Sequence, residues 1–291
     1  MGFRDAEIMV RTVLITGASQ GLGEILAQRF WASGFNLKLV ARNRDRLKSV
    51  HSKLNTQPEQ SCHLFPCDLS DQANVNQLIA ELIDTGRPID VLVNNAATHG
   101  PIGPLWENNL DDWERAIRVD LLSPVALCHG LIPLMKASGG SIINLSGGGA
   151  TGPRCNFTAY GTAKAALVRF SETLAGEVRG FGIRVNCIAP GAMRTALLGE
   201  VLDSGAMSSG EQEYQAASKV FTDGGTSLDK VADLALFLAS DTSKGITGKI
   251  ISAVWDNWEM WPSHANELNR SDAYTLRRIT GRDRGMEWGD K

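Results

Sequence analysis

Short apolar runs rich in β-branched residues alternate along the chain with longer amphipathic stretches. The short runs predict strands at residues 12–16, 37–41, 62–66, 89–93, 141–146, 182–188 and 249–252. The longer stretches predict helices at residues 22–33, 45–54, 71–84, 110–136, 157–179 and 228–238. Because strands buried on both faces are apolar throughout, this alternation indicates an α/β fold: one parallel, doubly wound sheet of about seven strands with helices on both faces.

Two segments interrupt this alternation. Residues 195–226 combine Gly, Ser and charged residues with weak periodicity, which is typical of a flexible insertion. Residues 253–291 contain four of the seven tryptophans, Trp255, Trp258, Trp261 and Trp288. We therefore expect one domain over residues 1–252 and an extension over residues 253–291. Its tryptophans either pack it onto this domain or a neighbouring subunit, or form an aromatic wall of a substrate pocket.

Composition and charge argue against several classes of protein. With 43% hydrophobic and 21% charged residues, the 291-residue chain has an ordinary globular composition. Its net charge of −3 shows no basic excess, which argues against a nucleic-acid partner. The five cysteines form no Cys-x-x-Cys pair and the five histidines lack metal-ligand spacing, so we expect reduced thiols and no metal site. No apolar run approaches the ~18–20 residues of a membrane span, and the expected location is the cytoplasm.

The first predicted strand runs into a glycine-rich turn, Thr16-Gly17-Ala18-Ser19-Gln20-Gly21-Leu22-Gly23. Gly17 adopts positive φ at little cost, and Gly21 and Gly23 leave the backbone open to a pyrophosphate. The helix that follows offers unpaired N–H groups and a positive dipole end to an anion. The turn, including Ser19, Gln20 and Leu22, is therefore a candidate dinucleotide site. The alternative is a turn whose glycines serve packing only.

The spacing Gly17-x-x-x-Gly21-x-Gly23 resembles the cofactor turn of the short-chain dehydrogenase/reductase family, in its short branch. Four further stretches resemble the family's motifs in the same order: Cys67-Asp68-Leu69, Asn94-Asn95-Ala96-Ala97, Tyr160-x-x-x-Lys164 and Pro190-Gly191-x-x-x-Thr195. The resemblance extends over residues 12–252. It implies a Rossmann-type domain, a nicotinamide cofactor and a small-molecule alcohol or carbonyl substrate, with neither nucleic acid nor membrane as partner.

The resemblance also implies cofactor contacts outside the turn, namely Asp68, Leu69, Asn94, Ala96, Tyr160, Lys164, Pro190, Gly191 and Thr195. Asp68 matches a position near the adenine, and Asn94 matches an asparagine that helps to hold the cofactor. For these two residues the alternative is a helix cap or a turn residue. Ala97 stands where the family usually has glycine.

The end of the second predicted strand indicates the type of cofactor. In dinucleotide-binding folds an acidic residue there bonds the ribose 2′-hydroxyl of NAD, whereas an arginine accepts the 2′-phosphate of NADP. Ala41 stands at that position and Arg42 follows it. We therefore expect NADP(H) in preference to NAD(H). The alternative is that Arg42 and Arg44 are solvated charges before a helix.

Tyr160 and Lys164 are four positions apart, so they share one face of the predicted helix. A neighbouring cation lowers the pKa of a tyrosine, which suits general acid–base catalysis. The resemblance implies that Lys164 also bonds the nicotinamide ribose, and that a serine bonds the substrate oxygen from the position occupied here by Gly147. Ser146 is our candidate for that role. Otherwise Thr151 or water fills it, or the role is vacant.

Asp120 stands where the family has an asparagine that holds a water in a proton relay. Aspartate keeps the acceptor geometry but loses the amide donor. Its charge would raise the tyrosine pKa or hold Lys164 more tightly. The alternative is a solvent-exposed aspartate paired with Arg118 or Arg115. The predicted catalytic residues are therefore Tyr160, Lys164, Ser146 and Asp120.

These assignments predict an oxidoreductase that interconverts a secondary alcohol and a ketone by hydride transfer with NADP(H), with Tyr160 as general acid/base. Residues 196–225 would form a lid over the substrate. The resemblance implies a homodimer or homotetramer assembled through the helices near 110–136 and 157–179. The departures at Gly147, Asp120 and Ala97 motivate an alternative: a catalytically weak or inactive NAD(P)-binding regulatory or scaffold protein. An epimerase or dehydratase on the same fold is a further alternative.

Overall fold

The computed structural model describes residues 10–286 and residue 288. Its seven strands are β1 (Thr12–Thr16), β2 (Asn36–Ala41), β3 (Cys62–Pro66), β4 (Val91–Asn94), β5 (Gly140–Leu145), β6 (Ile183–Ala189) and β7 (Ile250–Ser252). They form one sheet in the order β3-β2-β1-β4-β5-β6-β7, and every adjacent pair is parallel. The predicted doubly wound sheet is confirmed. The limits predicted at residues 1 and 291 lie outside the described residues.

Helices connect successive strands. In chain order they are α1 (Gly21–Ala32), α2 (Arg44–Ser52), α3 (Gln72–Asp84), α4 (Leu110–Ile117), α5 (Ser123–Met135), α6 (Thr158–Val178), α7 (Ala196–Asp203), α8 (Gly205–Ser209), α9 (Glu211–Asp223), α10 (Leu228–Ala239) and α11 (Ala265–Arg270). The predicted helices at residues 22–33, 45–54, 71–84, 157–179 and 228–238 agree with α1, α2, α3, α6 and α10 to within two residues at each end. The single helix predicted at residues 110–136 is instead two helices, α4 and α5.

A π-helical turn, Arg118–Leu122, joins α4 to α5. A π turn adds one residue to the helical repeat and is frequent at functional sites. Here it places Asp120 fully inside the protein. The sequence pattern predicted one continuous helix over residues 110–136 and did not reveal this turn.

The segment predicted to be a flexible insertion is instead helical. It contains α7, α8 and α9, of 8, 5 and 13 residues. Because α7 and α8 span only one to two turns, they show little apolar periodicity of their own. Leu198, Val201 and Ala217 pack against Phe157 and Tyr160, so this segment, hereafter the lid, covers the start of α6.

Side chains of β1 alternate between two hydrophobic cores, one on each face of the sheet. Val13 and Ile15 pack on one face with α1 and α10. Leu14 packs on the other face with α3, α5 and α6. Burial on both faces explains why β1 is apolar throughout, and it fixes the carboxyl end of the strand where the glycine turn begins.

The C-terminal extension packs on the same domain. Trp258 and Trp261 are buried in the core formed with α1 and α10, and the Ile250 N–H donates to the Tyr274 carbonyl oxygen at 2.8 Å. Trp255 is 86% exposed and lines a cavity described below. Trp258 and Trp261 therefore pack the extension onto this domain. That Trp255 forms an aromatic wall of a substrate pocket stays a prediction.

The helical stretch Leu110–Met135 has the length and mean hydropathy, 1.4, of a candidate membrane span, which the sequence analysis did not anticipate. Leu127, Leu131 and Met135 of this stretch are fully buried in the core that contains Leu14.

Candidate functional site

A groove of about 300 Å³ lies at the carboxyl ends of the central strands, where β1 neighbours β4. In doubly wound sheets, ligands bind where the strand order reverses, as it does here. Most of the predicted site residues line this groove: Gly17, Ser19, Gln20, Gly21, Leu22, Gly23, Arg42, Asp68, Leu69, Ala96, Ser146, Tyr160, Lys164, Pro190 and Thr195. Asn94, Asp120 and Gly191 are outside its lining.

The three glycines of the turn serve different purposes. A Cβ on Gly17 would lie 2.8 Å from the Ala96 Cα, and one on Gly23 would lie 2.1 Å from the Gly17 carbonyl oxygen. Close packing therefore excludes side chains at both positions. A Cβ on Gly21 would meet only Thr195, at 3.6 Å, and Gly21 has φ 56°. Gly21 thus needs a left-handed conformation and leaves the groove open beside it.

The start of α1 can accept an anion. Within the described part of the chain, no side chain caps its first turn, because Gln20 accepts a hydrogen bond from Arg46 instead. Unpaired N–H groups and the helix dipole favour a negative group at this place. The turn therefore fits the pyrophosphate of a dinucleotide.

Arg42 and Asp68 lie at the end of the groove formed by β2 and β3. Arg42 is exposed, and Ala41 before it carries no acidic group. Asp68 Oδ1 accepts hydrogen bonds from the backbone N–H and the hydroxyl of Ser70, at 2.9 and 2.8 Å. Asp68 is therefore both a turn residue, as the alternative interpretation proposed, and part of the groove wall.

The structure separates the two adjacent asparagines. The buried Asn94 side chain donates to Asn144 Oδ1 at 2.8 Å and joins the ends of β4 and β5. Asn95 lines the groove, and its Nδ2 donates to the Thr16 carbonyl oxygen at 2.9 Å. The resemblance predicts a cofactor contact for Asn94, but Asn95 of the same motif is the residue that lines the groove.

The loop after β6 connects the groove to the lid. Pro190 and Thr195 line the groove, whereas Gly191 lines a neighbouring cavity. The Thr195 hydroxyl accepts a hydrogen bond from the Leu198 N–H, at 3.4 Å, and caps α7. Thr195 therefore fixes the start of the lid at the groove.

Tyr160 stands between the groove and this second cavity, of about 660 Å³, and lines both. A Cβ on Gly147 would lie 2.1 Å from the Tyr160 hydroxyl oxygen, so that hydroxyl lies against Gly147 and leaves no room for a side chain. Ser146 is buried at the groove, and its hydroxyl has no hydrogen-bond partner among the residues described. Thr151 lines only the second cavity. Ser146 therefore offers an unpaired donor on the groove side of Tyr160.

Lys164 and Asp120 form a buried pair. The Lys164 ammonium donates to the Leu145 carbonyl oxygen at 3.1 Å, and it lies 3.8 Å from Asp120 Oδ1. The same Asp120 oxygen accepts a hydrogen bond from the Thr98 N–H at 3.1 Å. The alternative of a solvent-exposed aspartate paired with Arg118 or Arg115 is wrong, because the π turn directs Asp120 inward.

Burial dominates the acidity of these groups. Burial raises the pKa of Asp120 to about 6, while Lys164 and the Thr98 N–H oppose the increase. Burial also raises the pKa of Tyr160, the Asp120 charge adds to that increase, and Arg154 opposes it. The expected tuning of Tyr160 by Lys164 is therefore offset, since Asp120 compensates the ammonium.

The sequence patterns did not reveal four charged or titratable residues around Tyr160: Arg154, Glu213, His99 and Glu200. Arg154 donates through Nε and Nη2 to Glu213 of the lid, at 3.0 and 2.8 Å. His99 packs edge-on against the Tyr160 ring, with centroids 4.8 Å apart, and its Nδ1 lies 3.3 Å from Glu200 of the lid. These residues belong to no motif and come together only in the folded chain.

This chain is similar in sequence and structure to known oxidoreductases. A family model described as enoyl-(acyl carrier protein) reductase, a short-chain dehydrogenase/reductase family, matches residues 17–253. Two curated relatives are an uncharacterized oxidoreductase, YxbG, of Bacillus subtilis and glucose 1-dehydrogenase of Gluconobacter oxydans. The first is 32% identical over 84% of this chain and 89% of its own. The second is 33% identical over 83% of this chain and 89% of its own.

Solved structures show the same architecture. L-sorbose reductase of Gluconobacter frateurii, complexed with NADPH and L-sorbose, is 29% identical, covers 84% of this chain and 95% of its own, and gives a TM-score of 0.74. YwfH, an NADPH-dependent reductase involved in bacilysin biosynthesis, is 28% identical, covers 84% and 96%, and gives a TM-score of 0.75. With its Rossmann-type sheet and five motifs in order, this chain belongs to the short-chain dehydrogenase/reductase family of NAD(P)-dependent oxidoreductases.

Proposed function

We propose that this enzyme interconverts a secondary alcohol and a ketone with NADP(H), using Tyr160 as its general acid/base. The position of Tyr160 carries the proposal, because its side chain is a shared wall of the groove and the second cavity. A proton donor at this boundary reaches a substrate in the cavity while a cofactor occupies the groove. The bound nicotinamide would supply or accept the hydride.

The chain's own residues would divide the remaining work. Tyr160 donates a proton to the carbonyl oxygen during reduction, and Ser146 donates a hydrogen bond to the same oxygen. Lys164 lines the groove beside Tyr160, where its ammonium is available to cofactor hydroxyls. The apolar lid residues Leu198 and Val201 pack over the Tyr160 region and exclude water from it.

Arg42 supports a preference for NADP(H). Its side chain is exposed at the groove, directly after Ala41, the position where an acidic residue would favour NAD(H). A guanidinium pairs strongly with a phosphate. NADPH is present in the structure of L-sorbose reductase, and the YwfH relative is NADPH-dependent.

The second cavity favours a small hydroxylated substrate. Its wall includes Arg154, Glu213 and Asp256, which together supply hydrogen-bond donors and acceptors, and the exposed ring of Trp255. Because apolar side chains such as Leu198 and Val220 line the same cavity, the wall suits a substrate that carries hydroxyl groups on an apolar carbon frame. Two relatives carry sugar names, glucose 1-dehydrogenase and L-sorbose reductase.

Steady-state assays test this proposal. Consumption of NADPH and of NADH is followed with L-sorbose, levodione and cyclohexanone, and reduction of NADP⁺ is followed with D-glucose, D-sorbitol and cyclohexanol. We expect turnover of at least one hydroxylated probe, with a higher kcat/KM for NADPH than for NADH. Tight NADPH binding without turnover of any probe would contradict the proposal and favour the regulatory or scaffold alternative.

We also propose that the protein forms a dimer or tetramer through the helices near residues 110–136 and 157–179. Near the start of α4, the large side chains of Leu105, Trp106 and Leu110 are exposed, which supports an interface at this helix. Light scattering after gel filtration should give a dimer or tetramer, and Trp106→Ala should shift it toward monomer. A wild-type monomer would contradict this.

A further inference from the structure

Arg154 lies close to the ring of Tyr160. Its guanidinium carbon is 3.8 Å from the centroid of the Phe157 ring and 5.8 Å from that of Tyr160. The Arg154 side chain is only 12% exposed. A guanidinium held this close and this dry acts on Tyr160 with little screening by water.

The glycine run places the tyrosine hydroxyl and the arginine against adjacent residues. A Cβ on Gly147 would meet the Tyr160 hydroxyl oxygen at 2.1 Å, and a Cβ on Gly148 would meet the Arg154 Cδ at 3.6 Å and its Nη1 at 3.8 Å. Both side chains therefore pack on one short stretch of backbone. The positive charge of Arg154 opposes the increase that burial causes in the pKa of Tyr160.

The other nearby cation is compensated. Lys164 lies 3.8 Å from the fully buried Asp120 carboxylate, and opposite charges this close offset each other's effect on a neighbouring group. An asparagine at position 120 would leave the lysine charge uncompensated. With Asp120 in place, Lys164 alone favours the phenolate of Tyr160 less, and a second positive group near Tyr160 adds to that effect.

We propose that Arg154 is a positioning residue that stabilises the phenolate form of Tyr160 during proton transfer, and that Glu213 of the lid limits this effect. The proposal rests on the acid/base role of Tyr160. When the Tyr160 O–H bond breaks and the proton passes to the carbonyl oxygen, the negative charge left on the phenolate faces Arg154. In alcohol oxidation the same phenolate takes the proton back.

Glu213 sets the strength of this interaction because it shares the arginine. Its carboxylate accepts two hydrogen bonds from Arg154 and is 36% exposed, so it compensates the guanidinium only partly. Since Glu213 belongs to α9, the charge that Tyr160 experiences depends on the lid being in place.

Six charged or titratable groups surround Tyr160: Lys164 on α6, Asp120 in the π turn, His99 after β4, Arg154 before α6, and Glu200 and Glu213 in the lid. Burial lowers the pKa of His99 below its ordinary 6.5, so the ring is uncharged at alkaline pH. The Asp120 carboxylate is ionised there, because its pKa is about 6. Arg154 is then the cation without a fully buried counter-ion.

The pH dependence of alcohol oxidation tests this inference, because oxidation requires the phenolate. Rates of NADP⁺-dependent oxidation of D-sorbitol and cyclohexanol are measured for Arg154→Met, Arg154→Lys and Glu213→Gln. Removing the cation should move the alkaline rise in kcat/KM upward by about one pH unit, and Glu213→Gln should move it downward by less. Arg154→Lys retains the charge, so the pH at which its kcat/KM rises should stay near the wild-type value, whatever the change does to substrate binding.

A second readout needs no turnover. The protein has three tyrosines, so phenolate absorbance measured against Tyr160→Phe isolates Tyr160 from Tyr214 and Tyr274. The midpoint should rise in Arg154→Met and fall in Glu213→Gln. An unchanged midpoint in both variants would overturn the proposal, as would equal shifts in Arg154→Met and Arg154→Lys. If Arg154→Met does not fold, an unmoved Glu213→Gln alone overturns it.

The Tyr160→Phe enzyme separates this inference from the proposed function. If it is inactive while the Arg154 and Glu213 variants leave the titration unchanged, the acid/base role stands and only the role of Arg154 falls. If it retains the wild-type rate and pH profile, the proposed function falls and this inference falls with it.

Discussion

The carboxylate of Asp120 lies 3.8 Å from the ammonium of Lys164, and both side chains are buried. The second oxygen of Asp120 has no hydrogen-bond partner within the described residues. Burying a carboxylate with one unsatisfied oxygen costs desolvation free energy, and the attraction to the lysine offsets only part of it. The pair therefore links the stability of the protein to the site that would carry its chemistry.

The pH dependence of stability should report on Asp120. Burial raises its pKa from 3.8 to about 6, so between these values the folded state binds a proton that the unfolded state has released. This group therefore lowers the free energy of unfolding as pH rises from about 4 to about 6. Asp120→Asn should remove this contribution, measured as Tm against pH. Asp111→Asn, which removes an exposed carboxylate from α4, is the control. Parallel curves for Asp120→Asn and wild type would contradict the assignment.

A serine at position 147, where the family has one, should lower both the stability and the activity of this protein. The new Cβ would lie 2.1 Å from the Tyr160 hydroxyl oxygen and 2.8 Å from its Cζ, so the buried ring must shift. Overpacking of this kind costs about 1–3 kcal/mol. We expect Gly147→Ser to lower both Tm and kcat. Gly148→Ala, whose Cβ meets its nearest atom at 3.6 Å, is the matched control and should change neither. An active, stable Gly147→Ser would show that the loop adjusts.

Ser146→Ala should separate activity from stability. Its hydroxyl is buried without a partner among the described residues, so removing it costs the free protein no hydrogen bond. Removing a donor to the reacting oxygen typically lowers kcat by on the order of 10²-fold. Thr151→Ala is the comparison, because Thr151 lines only the second cavity. A larger loss of kcat from Thr151→Ala would transfer the serine role to that residue.

Arg42→Ala should weaken NADPH selectively. A charge-assisted contact to the 2′-phosphate is worth about 1.5–3 kcal/mol, so the Kd for NADPH should rise roughly 10- to 100-fold. The Kd for NADH, which lacks that phosphate, should stay unchanged. Arg44→Ala removes an exposed arginine two residues on that does not line the groove. Titration of cofactor fluorescence gives the Kd of each cofactor for the wild type and both variants. Equal losses for both cofactors in Arg42→Ala would remove Arg42 from this role.

The sequence predicted the sheet and the groove well because both depend on local patterns. Apolar strands such as β1 are buried on both faces, and the glycine turn follows β1 directly in the chain. Its residues need no distant partner to be recognised. The end of β2 likewise placed Arg42 at the groove from its position in the strand alone.

Residues brought together by distant segments were not predictable in this way. Arg154 and Glu213 are 59 positions apart, and Arg154 and His99 are 55 apart. No periodicity or motif links them. The burial of Asp120 depends on a π turn within an otherwise regular helical pattern, and the short helices of the lid produce little periodicity of their own.

The central claim is that Tyr160 transfers the proton, and Tyr160→Phe tests it most directly. Phenylalanine keeps the ring against His99 and Phe157 and removes only the hydroxyl. We expect the Kd for NADPH to stay close to the wild type while kcat falls by on the order of 10²–10⁴-fold with the best probe substrate. A variant that binds NADPH normally and keeps most of its kcat would contradict the account.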